Sequence, residues 1–331
     1  MRITREDLIR IAKETALKNS LSDPGLVAAY LAGSLRTDNP FLGNTTDIDI
    51  VFVHAGEPKI HREIIPLTPE IHLDIIHNPH SLYDKPKELR VHPWLGPELY
   101  DPMPLFITRH FLDYIQAGVR DRYHEPSNVQ LRSHRLAENA RQVWRILQTS
   151  QPHGPEQVQR YLESISLAAN AVALLVGDPL AERRFLLQFP ARVQAAGHPE
   201  LAEGLLSLLG ARQVDGTTLS GFLPEWEKAF IEAAGIPGVD TRIAAARLGY
   251  YKLAFKSLLE SKTPQAILWP LMLTWTLAVS VLPPGWDAGW HSACSALGLD
   301  EVSFGEQLQE LDHFLDAVEA IQESLAVSQG L

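Results

Sequence analysis

Cysteine is all but absent from this chain: one residue in 331, Cys294. A lone thiol excludes an intramolecular disulfide framework and suits a reducing compartment. An excess of basic charge is also lacking, since 29 Lys and Arg face 40 Asp and Glu, a formal net charge of −11. General nucleic-acid binders carry a basic footprint, so nucleic acid is disfavoured as a partner. A comfortable membrane span is not evident either. The longest apolar run, Ile267–Leu282, is short for a span, contains Pro270 and ends at Pro283-Pro284, so it reads as a buried helix. The charged start, Met1-Arg2-Ile3-Thr4-Arg5-Glu6-Asp7, has no apolar core of a signal peptide, and a cytoplasmic protein with no membrane partner is expected. There is no repeat of fixed period and no low-complexity tract.

What is present is ordinary for a globular protein: 45% hydrophobic and 21% charged residues, over a length suited to one or two domains. Residues 4–19 have a helical apolar face behind Thr4, with Asp7 three positions on to complete a cap. Leu26–Ala32 reads as a short buried strand running into Gly33-Ser34, and Thr46–His54 as the next strand. Lys59–Leu67 and Glu70–His77, separated by Thr68-Pro69, read as a hairpin. Tyr83–Pro104, dense in proline and aromatics, is expected to be irregular, with room for a short strand near Leu99–Asp101. From Ile107 onward helical spacing takes over, at 107–122, 128–149, 155–176, 180–195, 199–210, 222–235, 240–261, 264–282 and 303–327. The expected class is α+β: a small mixed-sheet domain over 1–106 followed by an all-helical domain over 107–331.

Chemistry concentrates in the first of these. Side chains alternate faces along a strand, so Asp47 and Asp49 project together while Ile48, Ile50 and Phe52 point into a core. Paired carboxylates repel, and a hard divalent cation such as Mg²⁺ cancels that repulsion. In Ile71-His72-Leu73-Asp74-Ile75 the same alternation puts His72 and Asp74 together, although a shifted register would offer Glu70 instead. Three acids allow two ions, one on a triphosphate and one lowering the pKa of an attacking hydroxyl. Gly33 permits close approach to a phosphate, and Ser34 supplies a hydroxyl donor.

Gly33-Ser34, a spacer of about a dozen residues, Thr46-Asp47-Ile48-Asp49-Ile50-Val51-Phe52 and a later strand aspartate together resemble the active-site signature of the polymerase β-like nucleotidyltransferase superfamily. The small α/β part ahead of a helical one is similar to the bacterial antibiotic (aminoglycoside-type) nucleotidyltransferases. The resemblance covers Leu26–His77. It implies transfer of a nucleoside monophosphate, AMP favoured, from an NTP to a hydroxyl of a small molecule, with loss of pyrophosphate. Asp47, Asp49 and Asp74 are then the metal ligands, with two Mg²⁺ ions expected, and Asp74 also deprotonates the acceptor. Gly33 and Ser34 hold the β- and γ-phosphates, and ATP is the favoured donor. The helical part is expected to close the cleft and select the acceptor. The alternatives are a protein AMP-transferase of a toxin–antitoxin type, a template-independent RNA-tailing enzyme, which the net charge disfavours, and a non-catalytic nucleotide-binding regulator.

Other residues carry two readings each. Arg36 either touches phosphate or is a solvated helix residue, and Arg183, beside Arg184 and ahead of the apolar Phe185-Leu186-Leu187, is a candidate to clamp phosphate from the helical part. The polar face Arg132, Arg135, Asn139 and Gln142, like the pair Arg141 and Arg145, is a nucleotide contact or a solvated helix face. His54, His61, His77, His80 and His92 show no zinc-ligand spacing and read as surface or hydrogen-bonded histidines, while His72 can orient a substrate. Acids on 303–327 read as a solvated face or an attractor for a polyamine, and Trp286 and Trp290 as packing or a pocket wall.

Overall fold

The computed structural model describes residues 3–108, 110–149 and 153–329. Contacts divide the chain into two compact units, Met1–Asn128 with Gly249–Ala254, and Val129–Leu248 with Phe255–Leu331. The first unit thus runs past residue 106 and also takes in a six-residue piece from much later in the sequence.

Helix α1 (Arg5–Ser22) starts at the expected cap, where Thr4 and Asp7 exchange side-chain-to-backbone hydrogen bonds. Strand β1 (Leu26–Leu31) is followed by β2 (Thr46–His54), β3 (Arg62–Pro66) and β4 (Ile71–Pro79). β3 and β4 form the anticipated antiparallel hairpin. The proline-rich stretch is ordered rather than irregular: α2 (Pro86–Arg90), α3 (Leu95–Tyr100) and then β5 (Met103–Ile107). Helices of one or two turns are too short to show a period. β5 carries Pro104, which is tolerated because β5 is an edge strand of the sheet, whose order is β3-β4-β2-β1-β5. β2 and β4 are parallel, and the other neighbouring pairs are antiparallel.

Strand alternation sorts the two faces. Ile48, Ile50, Phe52, Ile71, Leu73 and Ile75 pack with Leu8, Ala12 and Ala16 of α1. On the opposite face Ala28, Tyr30, Val51 and Val53 pack with Tyr83, Leu89, Leu99 and with Leu112, Ile115 and Val119 of α4 (Phe111–Arg120). Of the 107–122 stretch, Arg109 lies outside the described residues.

The remaining helices are α5 (Pro126–Thr149), α6 (Pro155–Ala173), α7 (Phe185–Ala195), α8 (Glu200–Leu208), α9 (Gly216–Ala234), α10 (Leu248–Leu259), α11 (Leu268–Val281), α12 (Ala288–Leu297) and α13 (Phe304–Gln329). Several differ from expectation: the 180–195 and 264–282 stretches open with 3₁₀ turns, Glu182–Arg184 and Pro264–Ile267, and the helix expected over 222–235 starts at Gly216. The 240–261 stretch begins as two 3₁₀ turns, Thr241–Ile243 and Ala245–Arg247, before α10, and α12 was not foreseen. Trp290 on α12 is fully buried and donates its indole N–H to Thr276 Oγ1 at 3.0 Å, so its role is packing. The window Pro264–Val281 has the length and apolarity of a membrane span, but 78% of it is buried, as expected of a core helix. In the same unit Arg141 pairs with Asp312, Asp316 and Glu319 of α13 and lies over the Trp144 ring, which accounts for those acids as ion-pair partners.

Candidate active site

β2 and β4 run parallel in a register that sets Asp49 directly beside Asp74, and Asp47 beside His72. Alternation then turns all three carboxylates to one face. Each offers an oxygen within 4.8 Å of the others, and among the described residues this is the one acidic or histidine cluster that could hold a metal ion. The donor set is all carboxylate oxygen, as a hard cation requires. Asp74 is only 1% exposed. Glu70, the alternative third acid, sits in the β3–β4 turn, where its N–H donates to Thr68 Oγ1 at 3.2 Å.

The Gly-Ser turn meets this cluster at Gly33. Its φ of +62° and ψ of −154° fall in a region open essentially to glycine alone. A Cβ there would stand 1.7 Å from Asp49 Oδ2, so the bare backbone lies against the carboxylate. The Ala32 N–H donates to the Asp49 carbonyl at 2.9 Å, fixing the turn to β2. Ser34 opens a 3₁₀ turn, Ser34–Arg36, and its hydroxyl is 3.0 Å from that of Thr46. The spacer to β2 is taken up by a tight turn at Gly43-Asn44, both with positive φ, closed by reciprocal Leu42–Thr45 hydrogen bonds. Arg36 reaches back to the Asp101 carbonyl at 3.0 Å. Arg183, buried in the turn Glu182–Arg184, belongs to the second unit.

Two partners of the acids escaped sequence reasoning. Arg62 on β3 grips Asp74 with both arms of its guanidinium, Nε to Oδ1 at 2.8 Å and Nη2 to Oδ2 at 2.6 Å. Tyr250, in the late segment of the first unit, donates its hydroxyl to Asp47 Oδ2 at 2.7 Å. That segment is seated closely: a Cβ on Gly43 would stand 2.2 Å from the Leu253 carbonyl oxygen. The buried His72 ring meets Tyr250 edge-on, with centroids 4.8 Å apart. A basic residue at the start of a hairpin strand is a readable signal for Arg62; nothing in the sequence marks Tyr250.

Elsewhere on the sheet, His54 and His77 confirm the hydrogen-bonded reading of the histidines. They are 2.9 Å apart, with Asp23 3.0 Å from His54 and Glu63 3.1 Å from His77. Burial pushes the His77 imidazole pKa down.

On the acid-bearing face, Tyr30 donates to Glu98 at 2.6 Å and lies 3.0 Å from the Tyr83 hydroxyl. Burial pushes Tyr83 up to about 12. Burial also raises the Glu98 carboxyl above its ordinary 4.5, against the pull of Tyr30 and Arg36. A raised carboxyl holds its proton to higher pH when folded, so its contribution is full below 4.5 and is lost as pH rises through the folded value. Glu98→Gln is therefore expected to raise the thermal midpoint at pH 7 and give no gain at pH 4. An equal gain at both would remove burial of the charge as the cause. The chain matches no protein-family model and no curated protein.

Proposed function

We propose that this protein is a Mg²⁺-dependent nucleotidyltransferase that moves a nucleoside monophosphate, AMP by preference, from an NTP to a hydroxyl of a small acceptor. The observation that carries the reading is the trio Asp47, Asp49 and Asp74, together with a glycine whose backbone is pressed against one of them. Repulsion among three close carboxylates has no use in folding alone, and the donors suit the ion. When bound, Mg²⁺ neutralises phosphate charge and lowers the pKa of the attacking hydroxyl.

The chain's own residues divide the remaining work. Asp47 and Asp49 hold the donor side. The open backbone at Gly33 and the Ser34 hydroxyl take the β- and γ-phosphates. The acceptor oxygen forms its bond to the α-phosphorus, the α–β bridging P–O bond breaks, and pyrophosphate carries away that electron pair. Asp74 takes the acceptor's proton. The buried, unpaired thiol of Cys294 accords with work in the cytoplasm.

Tyr250 is proposed to position Asp47. Partners of this kind are worth about 10- to 100-fold in metal affinity, so Tyr250→Phe is expected to weaken Mn²⁺ binding by that factor with the thermal midpoint little changed. Unaltered Mn²⁺ affinity would leave Tyr250 a packing residue.

The test of the reaction is pyrophosphate release from each NTP with Mg²⁺, across aminoglycosides, lincosamides and protein acceptors. Release dependent on a small hydroxylated acceptor supports the proposal. NTP binding without release under every condition overturns it in favour of a nucleotide-binding regulator.

A further inference from the structure

Asp47 and Asp74 are treated differently by their neighbours. Asp47 accepts a hydrogen bond from the neutral hydroxyl of Tyr250. Asp74 faces a full positive charge, and the two parallel bonds from Arg62 engage both of its oxygens. We infer that Arg62 is a built-in competitor for the cation at Asp74, so that the site takes its second ion only when this guanidinium withdraws. The inference rests on the metal-binding reading above and adds a regulatory step to it.

The geometry suits an exchange. Arg62 stands on the edge strand β3, diagonal to Asp74, whose direct partner there is Ile64. Its side chain is 37% exposed while that of Asp74 is 1% exposed, so the arginine can swing into solvent and the aspartate cannot. With no divalent ion present, Arg62 supplies a positive charge at the buried carboxylate of Asp74. The contact that relieves repulsion then opposes the ion that would do the same. Linkage makes the antagonism reciprocal: a cation at Asp74 loosens Arg62 by the factor that Arg62 weakens the cation.

The experiment is Mn²⁺ binding to the full chain without nucleotide or acceptor, followed by electron paramagnetic resonance and by thermal midpoint. Arg62→Ala is expected to bind its weaker Mn²⁺ ion at least about tenfold more tightly than wild type, since a unit charge a few ångströms from the ion is removed. The variant's midpoint is also expected to rise more steeply with Mn²⁺. In Arg62→Ala/Asp74→Asn, which carries no surplus charge, both gains are expected to vanish. Should the alanine variant fail to fold, Arg62→Lys keeps the charge without the two-pronged grip and is expected to show a smaller gain of the same sign. Unchanged or weaker Mn²⁺ binding in the folded Arg62 variant overturns the inference. If wild type and variant bind Mn²⁺ equally, the competitor role fails while the metal reading stands. If neither binds, both fail.

Discussion

Asparagine in place of Asp49 is expected to abolish the proposed nucleotidyl transfer and to leave the fold intact. Asp49 is central to the proposed site: it lies beside Asp74 across β2 and β4, shares a carboxylate cluster with Asp47, and has its Oδ2 under Gly33. Asparagine keeps the shape and removes the charge. If the acids hold a metal ion that stabilises developing phosphate charge by several kcal/mol, as proposed, losing one ligand is expected to lower turnover by at least about 10³-fold. The thermal midpoint is expected to stay close to wild type, because asparagine keeps the size and shape of the side chain. Pyrophosphate release and the thermal midpoint, measured on the same preparation, check both halves. Full activity refutes the assignment of the acids, and a collapsed midpoint shows that Asp49 serves the fold.

The second large effect is expected at Gly33→Ala. The backbone there must leave its glycine-only conformation, at a cost of about 1–3 kcal/mol, and the new methyl must displace the Asp49 carboxylate, a similar cost in an already packed place. A total of about 2–5 kcal/mol is a large share of the ~5–15 kcal/mol that holds a domain of this kind together. Because the displaced atom is a proposed metal ligand, Mn²⁺ affinity should fall as well. Denaturant unfolding and Mn²⁺ titration measure the two losses. A loss below about 1 kcal/mol would show that the turn relaxes away from Asp49, and would separate the glycine from the site.

Much of the first unit was legible because its signals are local. The Thr4–Asp7 cap, the β2 boundaries Thr46–His54 and the β3–β4 hairpin depend on residues within a few positions of one another. The errors also have local causes. α2 and α3 are shorter than the span over which a helical period shows, Pro104 hid β5, and α12 follows directly on a Pro-Pro-Gly break. The continuous helix expected over 240–261 failed because Asp240 caps a 3₁₀ turn instead of a long helix. That change concerns the residues just before Tyr250.

By itself the sequence determined that Asp47 and Asp49 share a face, that His72 and Asp74 share a face, and that Gly33-Ser34 lies one strand away, because period-two alternation is a property of any strand whatever its neighbours. Tertiary structure alone decided that β4 lies parallel to β2 in the register pairing Asp49 with Asp74, since a one-residue slip would have turned His72 and Asp74 to the other face. It alone decided that Gly33 rests on Asp49, and that Asp47 is held by a tyrosine 203 positions away. Contacts of that reach come from packing, which joins residues that no local period relates.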